Sequence, residues 1–186
     1  AIASVDGASG YRRVPSLRGR ITAIKGVPVG EAVIKPESEW AVRGDRALTF
    51  SATPTEGSEI TQGEWWPENY SGEPLISLDA GLARGFDMEI GNTLTLNVLS
   101  RDITAKVASL REIDWRSLRF DFAIVFAPGA LDGAPFTHIA ALNAPRELED
   151  AVERAATDGF PNISAIRVRE ALETAARILE GVNWAV

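Results

Sequence analysis

The chain of 186 residues contains no cysteine and a single histidine. Without thiols there is no disulfide framework, no thiolate zinc site and no cysteine nucleophile. His138 falls in a predicted strand between Thr137 and Ile139, with no carboxylate beside it in sequence, and reads as a structural or surface histidine. No run of Lys or Arg interrupts a formal charge of −7 and a pI near 4.8, a balance that repels phosphate backbones and argues against nucleic acid as a partner. No stretch approaches the ~20 apolar residues of a membrane-spanning helix. The best, FAIVFAPGAL at 122–131, is broken by Pro128. The opening AIASVDGASG has neither the basic start nor the apolar segment of a signal peptide, and the chain reads as an excised piece.

Chemistry-bearing motifs are also missing. No serine lies in a G-x-S-x-G elbow, and there is neither a G-x-x-x-x-G-K-[ST] nor a G-x-G-x-x-G loop, so no bound nucleotide, cofactor or metal is expected. The acids Glu56, Glu59, Glu64, Asp114 and Asp121 read as a solvated acidic face. The competing reading is a free-standing periplasmic hydrolase or binding module using Asp114, Glu64 or His138, which requires those groups to converge in one pocket. Arg43-Gly44-Asp45 reads as a hairpin turn, and the sequon matches at Asn69 and Asn162 are short enough for chance.

What the chain does have is 45% hydrophobic residues in short, mostly alternating segments, enough for a buried core. VPSLRGRITAI (14–24) predicts a strand closed by the GVPVG turn, and WAVRGDRALTFSAT (40–53) two strands around a Gly-Asp turn. LISL (75–78) predicts a strand running into a short helix, AGLARGF, with Asp79 as its N-cap. TLTLNVLSRDITAKVASL (93–110) alternates as a two-stranded hairpin, followed by a strand at FDFAIVF (120–126). The region 37–131 is therefore expected to be mostly antiparallel β. Beyond it THIAAL (137–142), PRELEDAVERAATDGFP and ISAIRV (163–168) predict strand, helix and strand, one βαβ unit, and 169–186 an amphipathic helix.

Two of the five tryptophans stand together in GEWW, Trp65 and Trp66, between Gly63 and Pro67; a third, Trp115, lies in REIDW. Adjacent residues of a strand face opposite ways, so one indole of the pair is expected in the core and its neighbour on the other side of the sheet. Packing accounts for the first and leaves its neighbour for a contact, so that Trp65, Trp66 and Trp115 are the candidate contacts for a partner or substrate.

In order and spacing, VPSLRGRI, GEWW, LISLDAGLARGFDMEIGNTLTLNVL, REIDWRSLRFDFAIVFAPG and ISAIRVREAL resemble the extracytoplasmic domain of FtsX-like ABC-transporter permeases, YbbP-like ones above all, over about residues 12–186. Asn92 stands where an acidic residue is usual and Asp121 where asparagine is expected. The resemblance implies an α+β, MacB-like periplasmic core domain. Residues 1–36 and 132–186 would form a membrane-proximal, βαβ-containing subdomain, its amino-terminal part truncated, and 37–131 an inserted β-rich subdomain. It also implies a non-enzymatic part of a bacterial inner-membrane permease. That permease would work with a separate ATP-binding cassette ATPase subunit, an amphiphilic substrate (lipid, lipoprotein or drug-like) and a periplasmic adaptor or hydrolase. Both ends of such a domain should lie on one side of the fold.

Overall fold

A computed structural model of the chain describes residues 6–114 and 121–168. The fold is α+β, with a large mixed sheet and few helices. Its strands are β1 (Ser9–Ile24), β2 (Val27–Pro28), β3 (Arg46–Phe50), β4 (Ser58–Gly63), β5 (Leu75–Asp79), β6 (Thr93–Val98), β7 (Arg101–Ile113), β8 (Ile124–Phe126) and β9 (Thr137–Asn143); its α-helices are α1 (Ala80–Gly85) and α2 (Glu149–Thr157). Two compact units divide the chain, one of residues 13–139 and one of 1–12 with 140–186.

In the larger unit the strand pairings run full circle: β1 with β3, β3 with β8, β8 with β5, β5 with β7, β7 with β6, and β6 back to β1. A ring of six strands encloses one apolar core, to which β6 sends Leu94, Leu96 and Val98, β7 Ile103, Ala105 and Val107, and β5 Ile76 and Leu78. The alternation that predicts the hairpin is thus the alternation between ring interior and exterior. Its turn is Leu99-Ser100, both residues left-handed at φ 49° and 66°, which matches the twist of the flanking strands. β4 pairs only with β7 among the described residues, past the end of the β6 ladder.

The expected strand–helix unit at 75–85 is present. Asp79 Oδ2 accepts from the Leu82 N–H at 2.8 Å and caps α1, whose buried face carries Leu82 and Ala83. Three expectations need correction. Residues 36–41 form a 3₁₀ helix, Pro36–Ala41, in place of the first of two strands: Pro36 supplies the pre-set first turn, and Ser38 packs into the space left by the missing side chain of Gly85. The pairings β3 with β8 and β5 with β7 are parallel, so the region expected to be mostly antiparallel is mixed. Residues 163–167 form no strand, so the βαβ unit is not completed.

The reason for the last lies in the smaller unit. Ile163, Ile166 and Val168 are exposed, and the segment is held by a turn, Ile163 N–H to Phe160 O at 3.0 Å, and by Arg167. Arg167 donates to Asp150 at 2.6 Å and through Nε to Glu153 at 2.8 Å, both on α2. A strand needs a neighbour for its ladder, and apolar alternation alone does not provide one. The helix expected at 169–186, and with it Val186, lies outside the described residues, as does Trp115.

Candidate functional site

The GEWW segment leaves the sheet at Gly63, where φ is +71° and a Cβ would stand 2.2 Å from Ala108 O. Only glycine meets both demands. Once off the strand, Trp65 and Trp66 are released from its alternation. Their rings lie together, centroids 4.3 Å apart and planes inclined by 35°. Both indoles point to one loop: Trp66 Nε1 donates to Ser51 O at 2.8 Å and Trp65 Nε1 to Ala52 O at 3.0 Å. The expected placement on opposite faces is thereby corrected, because strand geometry ends two residues before the pair.

Burial separates the two. Trp66 is 5% exposed and packs with Phe122, Val125 and Ala127 in a second apolar cluster, while Trp65 lies half-buried over it with Tyr70, Leu75 and Ala108. Leu75 and Val125 alternate with ring-core residues Ile76 and Ile124, so this cluster covers the outside of the ring at β5 and β8. The loop after Pro67 closes over it, with Tyr70 N–H bonded to Pro67 O and Tyr70 OH to Glu73 O.

Beside this cluster is a polar group that reasoning from the sequence overlooked. Arg111 has no exposed surface, and by sequence spacing alone it falls in step with the buried β7 residues Ile103, Ala105 and Val107. The β5–β7 register skips Ala108, which returns Leu110 to the ring core and turns Ser109 and Arg111 outward. There the guanidinium donates through Nε to Ser77 Oγ (2.9 Å), through one terminal nitrogen to Thr55 Oγ1 (3.1 Å) and Ser58 Oγ (3.3 Å), and through the other to Phe122 O (2.8 Å). Ser109 Oγ donates to Ser77 Oγ at 2.7 Å. Asp121, almost as deeply buried, supplies the counter-charge at 3.6 Å. Burial pushes the Arg111 pKa below its ordinary value, and the charges of Asp121 and Asp79 act in the opposite direction. A buried cation without such a partner would be costly, so the acid at 121, where the permease resemblance leads one to expect asparagine, fits its place. Asn92, the other departure, accepts the Glu89 N–H at 2.8 Å and closes the turn before β6. The signal for Arg111 was a charge in phase with apolar neighbours.

A different part of the larger unit holds an open groove of about 670 Å³ between α1 and the β4–β7 pair. Leu110, Met88, Ala80 and Ala83 line it together with Glu59, Glu89, Glu112 and Arg84. None of Asp114, Glu64 and His138 lines it. His138 instead lies against Arg13, at 3.0 Å, and against the ring of Phe136. Among the described residues no three acids or histidines gather as metal ligands would, and no helix is long and apolar enough to cross a membrane.

No family model matches the chain. It is, however, 34% identical over 121 residues, 65% of its length, to the uncharacterized ABC transporter permease YbbP of Escherichia coli (strain K12). The chain is a relative of an ABC-transporter permease. It spans 14% of the length of that permease, so the comparison concerns a segment of a much larger protein. Against this relationship the indole pair and the Arg111 network are the built features of the larger unit. The groove, by contrast, is open, with Arg84 already 3.7 Å from Glu112 across it.

Proposed function

We propose that the chain is the extracytoplasmic domain of a bacterial inner-membrane ABC-transporter permease. In this reading it performs no catalysis. It couples movement driven by a separate ATPase subunit to the export or extraction of an amphiphilic substrate (lipid, lipoprotein or drug-like), and it contacts periplasmic partners, an adaptor or a hydrolase. The observation that carries the reading is the 34% identity to a permease over 121 residues. A charge of −7 and the absence of a phosphate-cradling loop agree with leaving the nucleotide to another subunit. Residues 1–36 with 132–186 are assigned to the part nearest the membrane and 37–131 to the insertion farther out. Trp65 is the contact residue for partner or substrate, because a half-buried indole beside a buried one offers apolar area at small ordering cost; Trp66 anchors it, and Trp115 is retained as a further contact residue.

Because the chain lacks cysteine, Val33, which is 90% exposed, can carry a single reporter. In a full-length permease freed of other cysteines, Val33→Cys should react with a membrane-impermeant maleimide in intact spheroplasts. Labelling only after the inner membrane is opened would overturn the periplasmic assignment. In the same background Trp65→Ala should impair transport while ATP hydrolysis by the complex persists. Unchanged transport would remove Trp65 from the contact surface.

A further inference from the structure

The two carbonyls that receive the indoles belong to the 51–58 loop, and that loop is tied down at its far end. Its near end is anchored by Ser51 N–H to Phe126 O on β8, at 3.1 Å. Its far end is a compact turn in which Thr55 Oγ1 and Ser58 Oγ lie 2.9 Å apart, and both hydroxyls accept from Arg111. The other terminal nitrogen of Arg111 holds Phe122 O, and the ring of Phe122 packs in the cluster with Trp66. One buried guanidinium therefore grips both things that place the indole pair: the loop that accepts its N–H groups, and the residue against which its inner ring rests.

We propose that Arg111 is the positioning residue of the Trp65–Trp66 platform, pre-organising the contact surface by clamping the 51–58 loop to Phe122. Arginine suits the task and lysine does not, since the three nitrogens of a planar fork reach four acceptors in separate directions, Ser77 Oγ, Thr55 Oγ1, Ser58 Oγ and Phe122 O, and a single ammonium nitrogen cannot span them. Pre-organisation matters at a contact surface because side chains already ordered lose less freedom on binding. The inference rests on the reading of Trp65 as a contact residue for its purpose, though not for its geometry.

The geometry can be tested in the 186-residue chain without any partner. Two stacked indoles give an exciton couplet in far-ultraviolet circular dichroism, and Trp65→Phe, which removes one of them, assigns it. Arg111→Lys should lose the couplet and expose the indoles to acrylamide quenching. Thr55→Val combined with Ser58→Ala, which leaves the guanidinium and Asp121 in place, should weaken the couplet in the same direction. Ile103→Val, a change in the ring core, should lower the melting temperature and leave the couplet intact, which separates positioning from general destabilisation. An undiminished couplet in the Thr55/Ser58 double variant overturns the proposal, whether or not Arg111→Lys folds. Loss of the couplet with transport unimpaired by Trp65→Ala would instead keep Arg111 as the positioning residue and sink only the contact reading.

Discussion

Trp65 rests on Trp66 with 4.3 Å between ring centroids, and each indole donates to one of two consecutive carbonyls, Ala52 O and Ser51 O. The pair is one object with an inner and an outer half. Trp66→Ala should cost roughly 3–5 kcal/mol, as large aromatic truncations in cores do. Trp65→Ala forfeits a stacking contact and one hydrogen bond at a half-covered site, and should cost about 1–2 kcal/mol. Denaturant melts of both single variants and the double variant check this. A coupling of about 0.5–1.5 kcal/mol is expected between them, and additive losses would mean that the rings do not support one another.

Asp121 neutralises a guanidinium that has no access to water. Asp121→Asn keeps the shape and removes the larger of the two counter-charges, leaving Asp79 alone to balance the buried Arg111, and should destabilise by up to about 3–5 kcal/mol. Exchanging both for apolar residues of similar volume should cost less than Asp121→Asn alone. Equilibrium unfolding of the two variants compares them directly.

Gly85 and Ser38 interlock, a Cβ at 85 falling 1.8 Å from Ser38 Oγ. Gly85→Ala should therefore cost roughly 1–3 kcal/mol through overpacking, although alanine is the better helix former. Ser38→Gly in the same chain should recover part of the loss. A Gly85→Ala variant as stable as the parent would show that the 3₁₀ helix does not press on α1.

Lys25 Nζ donates to the carbonyl of Asp87 at 2.6 Å and to its carboxylate at 3.0 Å, and this contact holds the Asp87 pKa below its ordinary value of 3.8. A carboxyl whose folded pKa is depressed contributes stability above its unfolded pKa, and that contribution disappears as pH falls through the folded value. The effect is confined to pH below about 4. Titration followed by NMR should find Asp87 below 3.8 in the parent and nearer the ordinary value in Lys25→Met.

Reading residues in order succeeds where structure is local. The strand into α1 was legible because the Asp79 cap and the segment it caps lie within a few residues of each other, and the hairpin expected at 93–110 because period-two alternation reports a single buried face as far as the bulge at Ala108. Residues 163–168 show the limit: they alternate as a strand does, yet whether a ladder forms depends on a neighbouring strand, which their own composition does not encode.

The sequence by itself determined the absence of thiol chemistry, the acidic net charge, the local elements and the likeness to a permease, because each depends on residue identity or short-range spacing, whereas the side chain of Asp121, read with the solvated acids, is buried. Tertiary structure alone decided how the strands close into a ring, which pairs run parallel, and how Arg111 comes to be buried. These depend on a bulge at Ala108 and on contacts between residues far apart in the chain, such as Arg111 with Thr55, 56 positions away. The indole pair combines both causes. Gly63 announces a break in the strand, but which way the chain turns after it, and so the stacking of Trp65 on Trp66 rather than their separation, is set by the loop carbonyls and the apolar cluster that receive them.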